Sequence, residues 1–259
     1  MGNYLKSSAL LIEAFKKIRD TISPVIEVVN ENKQLIIGGI YSVMDFATWT
    51  ECAKKAAEKG IVLTESIPIE LAIKIYDSPD DEIESLIEKH YFENDLTNFK
   101  LLITKCKQSD YLTAYACLFN EVLDSFEVGN YQLACIGLFS ISDGLLADVS
   151  NMVNSTKFKN RIEALTKKIS EEDVITNISK STISVCNFFD ASNNYFDVSP
   201  FKNSRFSDDE PTNVNRHWAV HGRSRRVYSR LDFLKIILWI DALTILADIS
   251  KEGTCDKTI

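Results

Sequence analysis

Apolar positions recur at helical spacing along most of the chain. Leu10, Leu11, Ala14, Phe15, Ile18 and Ile22 mark one face of a helix over residues 4–31, which Pro24 would kink or split. The pattern resumes at Asp45 and stops at Gly60, directly after Lys59, a combination that ends helices. The apolar run Leu35–Ile40 between them reads as a strand or as a turn between helices. Residues 67–76 and 80–92 predict two further helices. The second is opened by Ser78-Pro79-Asp80-Asp81, a capping residue followed by Pro and by carboxylates that complement the helix dipole.

Beyond Lys107-Gln108-Ser109 the texture becomes more apolar. Residues 111–126 and 131–152 predict two long helices joined at Gly129-Asn130, an antiparallel hairpin. Helical spacing continues over residues 158–169 and 171–189. Residues 190–213, rich in Asn, Ser and Asp with little periodicity, predict a long loop of the kind that is often functional or mobile. A further helix is expected to begin at Arg216, and residues 228–249 predict a strongly apolar final helix. There is no internal repeat, no low-complexity tract and no Gly-rich phosphate loop. The resulting expectation is an all-α protein with a break near residue 107, giving an N-terminal, mostly helical region (1–106) of unassigned role and a helical bundle (107–259).

Composition agrees with a helix-rich globular chain: 259 residues, 45% hydrophobic, with nine Gly and five Pro. The formal net charge of −8 argues against a general nucleic-acid coating protein, which would be basic across a whole face. Six cysteines without a CxxC pair read as reduced, mostly buried thiols, Cys117 and Cys135 among them. No charged n-region leads into an apolar h-region, and the run Ile236–Ile240 is too short to span a bilayer. The expectation is a cytoplasmic protein with no membrane partner.

Against this acidic background, two of the three histidines and five of the eight arginines fall between Arg216 and Arg230, a stretch without Asp or Glu. Such a cationic island suits chemistry on an anion. His217 and His221, four residues apart, share a helix face and could hold a metal, but Trp218 stands where a zinc-protease motif has Glu, and no third ligand is evident. We therefore expect no metal and no cofactor.

Arg216 and His221 supply a different chemistry. A guanidinium binds phosphate bidentately and stabilises added charge in the transition state, and an imidazole with a reference pKa of ~6.5 moves protons at neutral pH. Together these can cleave RNA without a metal. The plainer alternative is a buried polar network in which Arg216 and His221, with Asp143 as charge partner, fix one helix to its neighbours. Arg223, Arg225, Arg226 and Arg230 read equally as a solvated connection or as RNA-backbone contacts. Trp218 and Trp239 read as core or interface aromatics, and His90 carries no assigned role.

The sequence Asn215-Arg216-His217-Trp218-Ala219-Val220-His221-Gly222 resembles the motif of the HEPN superfamily: Arg, four to six residues, His, with a polar residue after the Arg and a long apolar helix following. The segment Ala134–Leu146, with Asp143 inside it, is similar to the earlier core helix of that group. The resemblance covers residues 107–259 and implies a dimeric all-α bundle that brings two Arg/His motifs into one cleft. Many members are metal-independent endoribonucleases of toxin–antitoxin, abortive-infection and other antiviral defence systems. It further implies Arg216 on the scissile phosphate, His221 as acid or base, His217 as the polar residue orienting it, and Asn215 and Asp143 in support. The implied partners are RNA, a second copy of the chain, and an antitoxin or regulatory protein. Arg223 stands where some toxin members carry Tyr, which separates the chain from that subgroup. Phe233, Ile237 and Trp239 are the expected seam residues of the dimer. A HEPN-like module that binds RNA or protein without catalysis is the alternative.

Overall fold

A computed structural model describes residues 48–64, 66–154, 160–161, 164–165, 207, 209–211 and 213–255. The helix expected over 4–31, the stretch 35–40 and the segment 171–189 lie outside the described residues, as do most of 158–169 and of the loop 190–213. The described residues are helical and contain no strand.

Helix α1 (residues 48–57) ends in a turn closed by Gly60, whose φ of 73° is the left-handed conformation that glycine adopts without cost. It packs beside α2 (Ile69–Asp77): Cys52 donates to the Ala72 carbonyl, and Lys55 Nζ donates to the carbonyls of Tyr76 and Ser78, placing a cation on the C-terminal end of α2. Helix α3 (Ile83–Phe92) begins about a turn later than the sequence predicts. The reason is that Ser78 is already used by α2, its N–H bonding the Lys74 carbonyl, and Pro79–Glu82 close a separate turn. Three left-handed residues, Asn94, Asp95 and Leu96, then redirect the chain into α4 (Thr97–Gln108). Asn98 reaches back from α4 to the His90 carbonyl at 2.8 Å and satisfies a group that the end of α3 would leave open.

The expected helix over 111–126 is two pieces, α5 (Asp110–Thr113) and α6 (Ala116–Glu127). They part at Tyr115, whose side chain crosses α7 (Tyr131–Val149) to hydrogen-bond Asp148 Oδ2 at 2.8 Å. The expected hairpin is present. Asn130 N–H bonds Ser125 O and Gly129 N–H bonds Phe126 O, a Schellman closure with Gly129 at φ 80°. Gly137 brings α6 against α7 so closely that a Cβ there would collide with Val122 Cγ2. Val122 is buried and stiff at χ1, so Gly137→Ala is expected to cost about 1–2 kcal/mol despite the ~1 kcal/mol that Ala gains over Gly in a helix. A thermal melt of the variant at or above the wild-type midpoint would show that the two helices have room to part.

A five-residue helix, α8 (Arg216–Val220), lies on α7, and α9 (Arg230–Cys255) runs along α7 as the main axis of the core. Phe233, Leu234 and Ile236–Ile240 are fully buried, so α9 is enclosed on all sides rather than along one stripe. Its buried polar groups are partnered across the chain. Lys235 bonds Glu84 at 2.6 Å, and Asp241 pairs with Lys105 at 2.8 Å and accepts from Ser66. Residues on both sides of position 107 thus contribute to one buried cluster.

Two expectations change. Phe233, Ile237 and Trp239 are buried within the chain, Trp239 Nε1 donating to Ser142 Oγ at 2.8 Å, so they are not exposed to form a seam between folded protomers. Cys117 is an exposed thiol, whereas Cys52, Cys106 and Cys135 are buried; all four are free, and the other two cysteines fall outside the described side chains. Among the described residues α7 is long and apolar enough to cross a bilayer, yet over half of its most apolar stretch is buried inside the protein.

Candidate functional site: a bracketed Arg/His helix

Helix α8 is too short to be stable alone, and its ends explain why it forms. Asn215, in extended conformation, accepts the Trp218 N–H on its side-chain oxygen at 3.2 Å, an N-cap. At the other end Gly222, at φ 64°, donates to Ala219 O while Arg223 N–H bonds Trp218 O, again a Schellman closure. The Asn and Gly that flank the motif are therefore its structural brackets. Between them Trp218 and Ala219 are buried. Arg216 and His217 are half-buried, and His221, the C-cap residue, is exposed.

This arrangement brings the predicted residues together. Arg216 Nη2 donates to Asp143 Oδ2 at 2.7 Å, tying α8 to the middle of α7. The rings of His217 and His221 meet edge to face with centroids 4.8 Å apart. Burial lowers the pKa of His217 first, and the neighbouring charges of His221 and Arg216 lower it further. A histidine whose folded pKa is depressed takes up its proton more readily when unfolded. Its contribution is therefore complete above the unfolded value of ~6.5 and declines as pH falls through that value toward the folded one. Burial lowers His90 in the same direction. The melting temperature is expected to drop between pH 7.5 and pH 5, and His217→Asn should narrow that drop. An equal drop in both proteins would refute the assignment to His217.

Folding also changes the cationic island, because acids from outside it, near and far in the sequence, pair with it. Arg226 Nη2 bonds both oxygens of Asp232, at 3.0 and 3.1 Å, and its guanidinium lies over the Tyr228 ring. Asp232 and Ser229 bond each other reciprocally as the capping box of α9. Arg230 donates to Glu88 at 2.7 Å and covers the face of Phe92. Glu210 accepts from Ser224 Oγ and from the backbone N–H of Arg225. Burial alone would raise its carboxyl, but these bonds and the nearby Arg226 charge hold it below the ordinary value. Arg226 and Arg230 are thus engaged within the chain; Arg223, Arg225 and Arg230 all reach the surface.

The residue that sequence reading missed is Arg161. Its Nη1 donates to the Asp143 carbonyl at 2.9 Å and lies 3.3 Å from Asp143 Oδ1, the oxygen that Arg216 leaves. Nothing in local spacing links positions 161 and 143. A second feature without a sequence signal is a cavity of about 310 Å³ bordered by Ser66, His90, Tyr91, Asn98 and Lys105; no residue of α8 lines it. Among the described residues no group of three or more His, Cys, Asp or Glu side chains is placed to hold a metal ion. Comparison with protein-family models, curated proteins and solved structures finds no match to this chain.

Proposed function

We propose that this chain is a metal-independent endoribonuclease of defence or toxin type, cutting RNA by 2′-hydroxyl attack at an Arg/His site completed by a second protomer. The observation that carries this reading is one short helix presenting an anchored guanidinium and two imidazoles, one of them exposed. Arg216 donates to Asp143 through Nη2, which fixes its guanidinium on α7, and a guanidinium is a group that can hold a phosphate with two parallel bonds. His221, exposed at the end of α8, is the acid or base; His217 orients it. In the reaction a base takes the 2′-hydroxyl proton, the oxygen attacks the adjacent phosphorus, and an acid protonates the departing 5′-oxygen. His221 of one chain serves one end and His221 of the partner the other. RNA, a second copy and an antitoxin or regulatory protein are the proposed partners.

The test is incubation of the full chain with a mixture of single-stranded and structured RNA in EDTA. Products ending in 2′,3′-cyclic phosphate and 5′-hydroxyl are expected. Cleavage that EDTA abolishes would overturn the mechanism. The second reading, a HEPN-like module that binds RNA or protein without cutting, is favoured by the ion pair that already occupies Arg216. It predicts a well-folded wild-type protein that leaves RNA intact.

A further inference from the structure

The cavity of about 310 Å³ stands apart from the Arg/His helix, and its walls carry polar groups that the Arg/His site does not use. It forms where the left-handed run Asn94–Leu96 folds α4 back against α3, with Ser66 and Pro68 just before α2. Pro68, Tyr91 and Leu101 supply the apolar wall, and Leu101, 62% exposed, stands at the mouth. The polar wall is tied down by bonds that fix what each group can still offer. Asn98 Nδ2 donates to the His90 carbonyl at 2.8 Å, which assigns the amide and leaves its oxygen without a partner among the described residues. Lys105 Nζ pairs with Asp241 at 2.8 Å and donates to Ser66 Oγ at 2.9 Å, so one N–H of its three remains. Burial lowers the pKa of His90, so that ring is neutral at pH 7.

The charge of the wall decides the ligand class. Lys105 is offset by Asp241, which is fully buried and does not line the cavity. An anion that drew Lys105 away would leave that carboxylate buried without its cation, a strongly unfavourable exchange. A cation would meet Lys105 and no carboxylate in the lining. We infer that this cavity binds a small uncharged molecule, mainly apolar, that bears a carbonyl acceptor and an N–H donor. Lys105 donates to the carbonyl, the Asn98 oxygen accepts the N–H, and Pro68, Tyr91 and Leu101 cover the apolar body. The volume lies at the lower end of the roughly 300–1,000 Å³ that small-molecule sites span. The inference is independent of the Arg/His site, since no residue of α8 lines the cavity.

The test uses the full chain and a fluorescent probe of this chemistry, 7-amino-4-methylcoumarin, which is uncharged at neutral pH and carries a lactone carbonyl and an amino group. Its anisotropy should saturate at one probe per chain, with a dissociation constant of about 0.1 mM or tighter. Benzamide should displace the probe, and benzoate, its anionic counterpart of the same shape, should do so at least about tenfold more weakly. Leu101→Trp narrows the mouth at an exposed position and should weaken probe binding at least about tenfold. Leu133→Trp, at an equally exposed position on α7 outside the cavity, should leave binding unchanged. If Leu101→Trp loses its melting transition, the smaller change Leu101→Phe is measured in its place, with a loss of affinity again expected. Binding that does not saturate, binding indifferent to the substitution at Leu101, or an equal loss in Leu133→Trp would each overturn the site. Benzoate displacing the probe as well as benzamide would overturn the ligand class.

Discussion

Truncating His221 to Ala is expected to lower single-turnover RNA cleavage by about 10²–10⁴-fold, the usual contribution of a positioned acid or base. Arg216→Ala should lower it by about 10²–10³-fold, the range for losing one donor to a developing oxyanion. Neither variant should unfold the protein. His221 is the exposed C-cap of a helix closed by Gly222, so its side chain bears little of the packing. Removing Arg216 leaves Asp143 with Arg161, so no carboxylate is stranded without a cation. Arg216→Lys should recover only part of the rate, because a point charge cannot hold Asp143 with one edge and a phosphate with another. The measurement is cleavage at matched oligomeric state, with circular dichroism as the folding control. Full activity in either Ala variant would dissociate the motif from the chemistry.

The parts of this fold legible in the sequence are those whose causes are local. Gly129-Asn130 marks the hairpin because a left-handed residue must follow α6, and Gly60 and Gly222 close helices for the same reason. The motif resemblance places Asn215 in support of the Arg/His pair, and in the structure its side chain is the N-cap that starts α8. Sequence and structure part where one residue serves two neighbours. Ser78 looks like an N-cap for α3 but is spent on α2, and Tyr115 fits a helical pattern but breaks it to reach Asp148. Long-range pairing was mostly invisible. The island from Arg216 to Arg230 has no acid of its own, yet Asp143, Glu210, Asp232 and Glu88 are its partners, three of them from other parts of the sequence and Asp232 from just beyond the island. Of these, the sequence points to Asp143 alone. Phe233, Ile237 and Trp239 suggest a seam in sequence because helical periodicity does not distinguish a face that meets another protomer from one that meets the chain's own α7.

That same burial sets the largest expected loss of stability. Phe233 on α9 lies 4.4 Å, centroid to centroid, from Phe126 on α6 and 6.1 Å from Phe99 on α4, and Phe126 stacks on Phe99 at 4.9 Å. Three helices therefore meet at one fully buried ring. Phe233→Ala should cost about 3–5 kcal/mol, combining the lost transfer energy with a cavity that three converging helices cannot easily collapse. Phe233→Leu keeps most of the volume and should cost less than about 1.5 kcal/mol. Both are read from urea unfolding, as a lower midpoint with an unchanged m-value. The Arg/His helix α8 packs mainly on α7, so oligonucleotide binding by the folded fraction of Phe233→Leu should match wild type. A Phe233→Ala protein within 1 kcal/mol of wild type would mean that α9 does not hold α4 and α6 together through this ring.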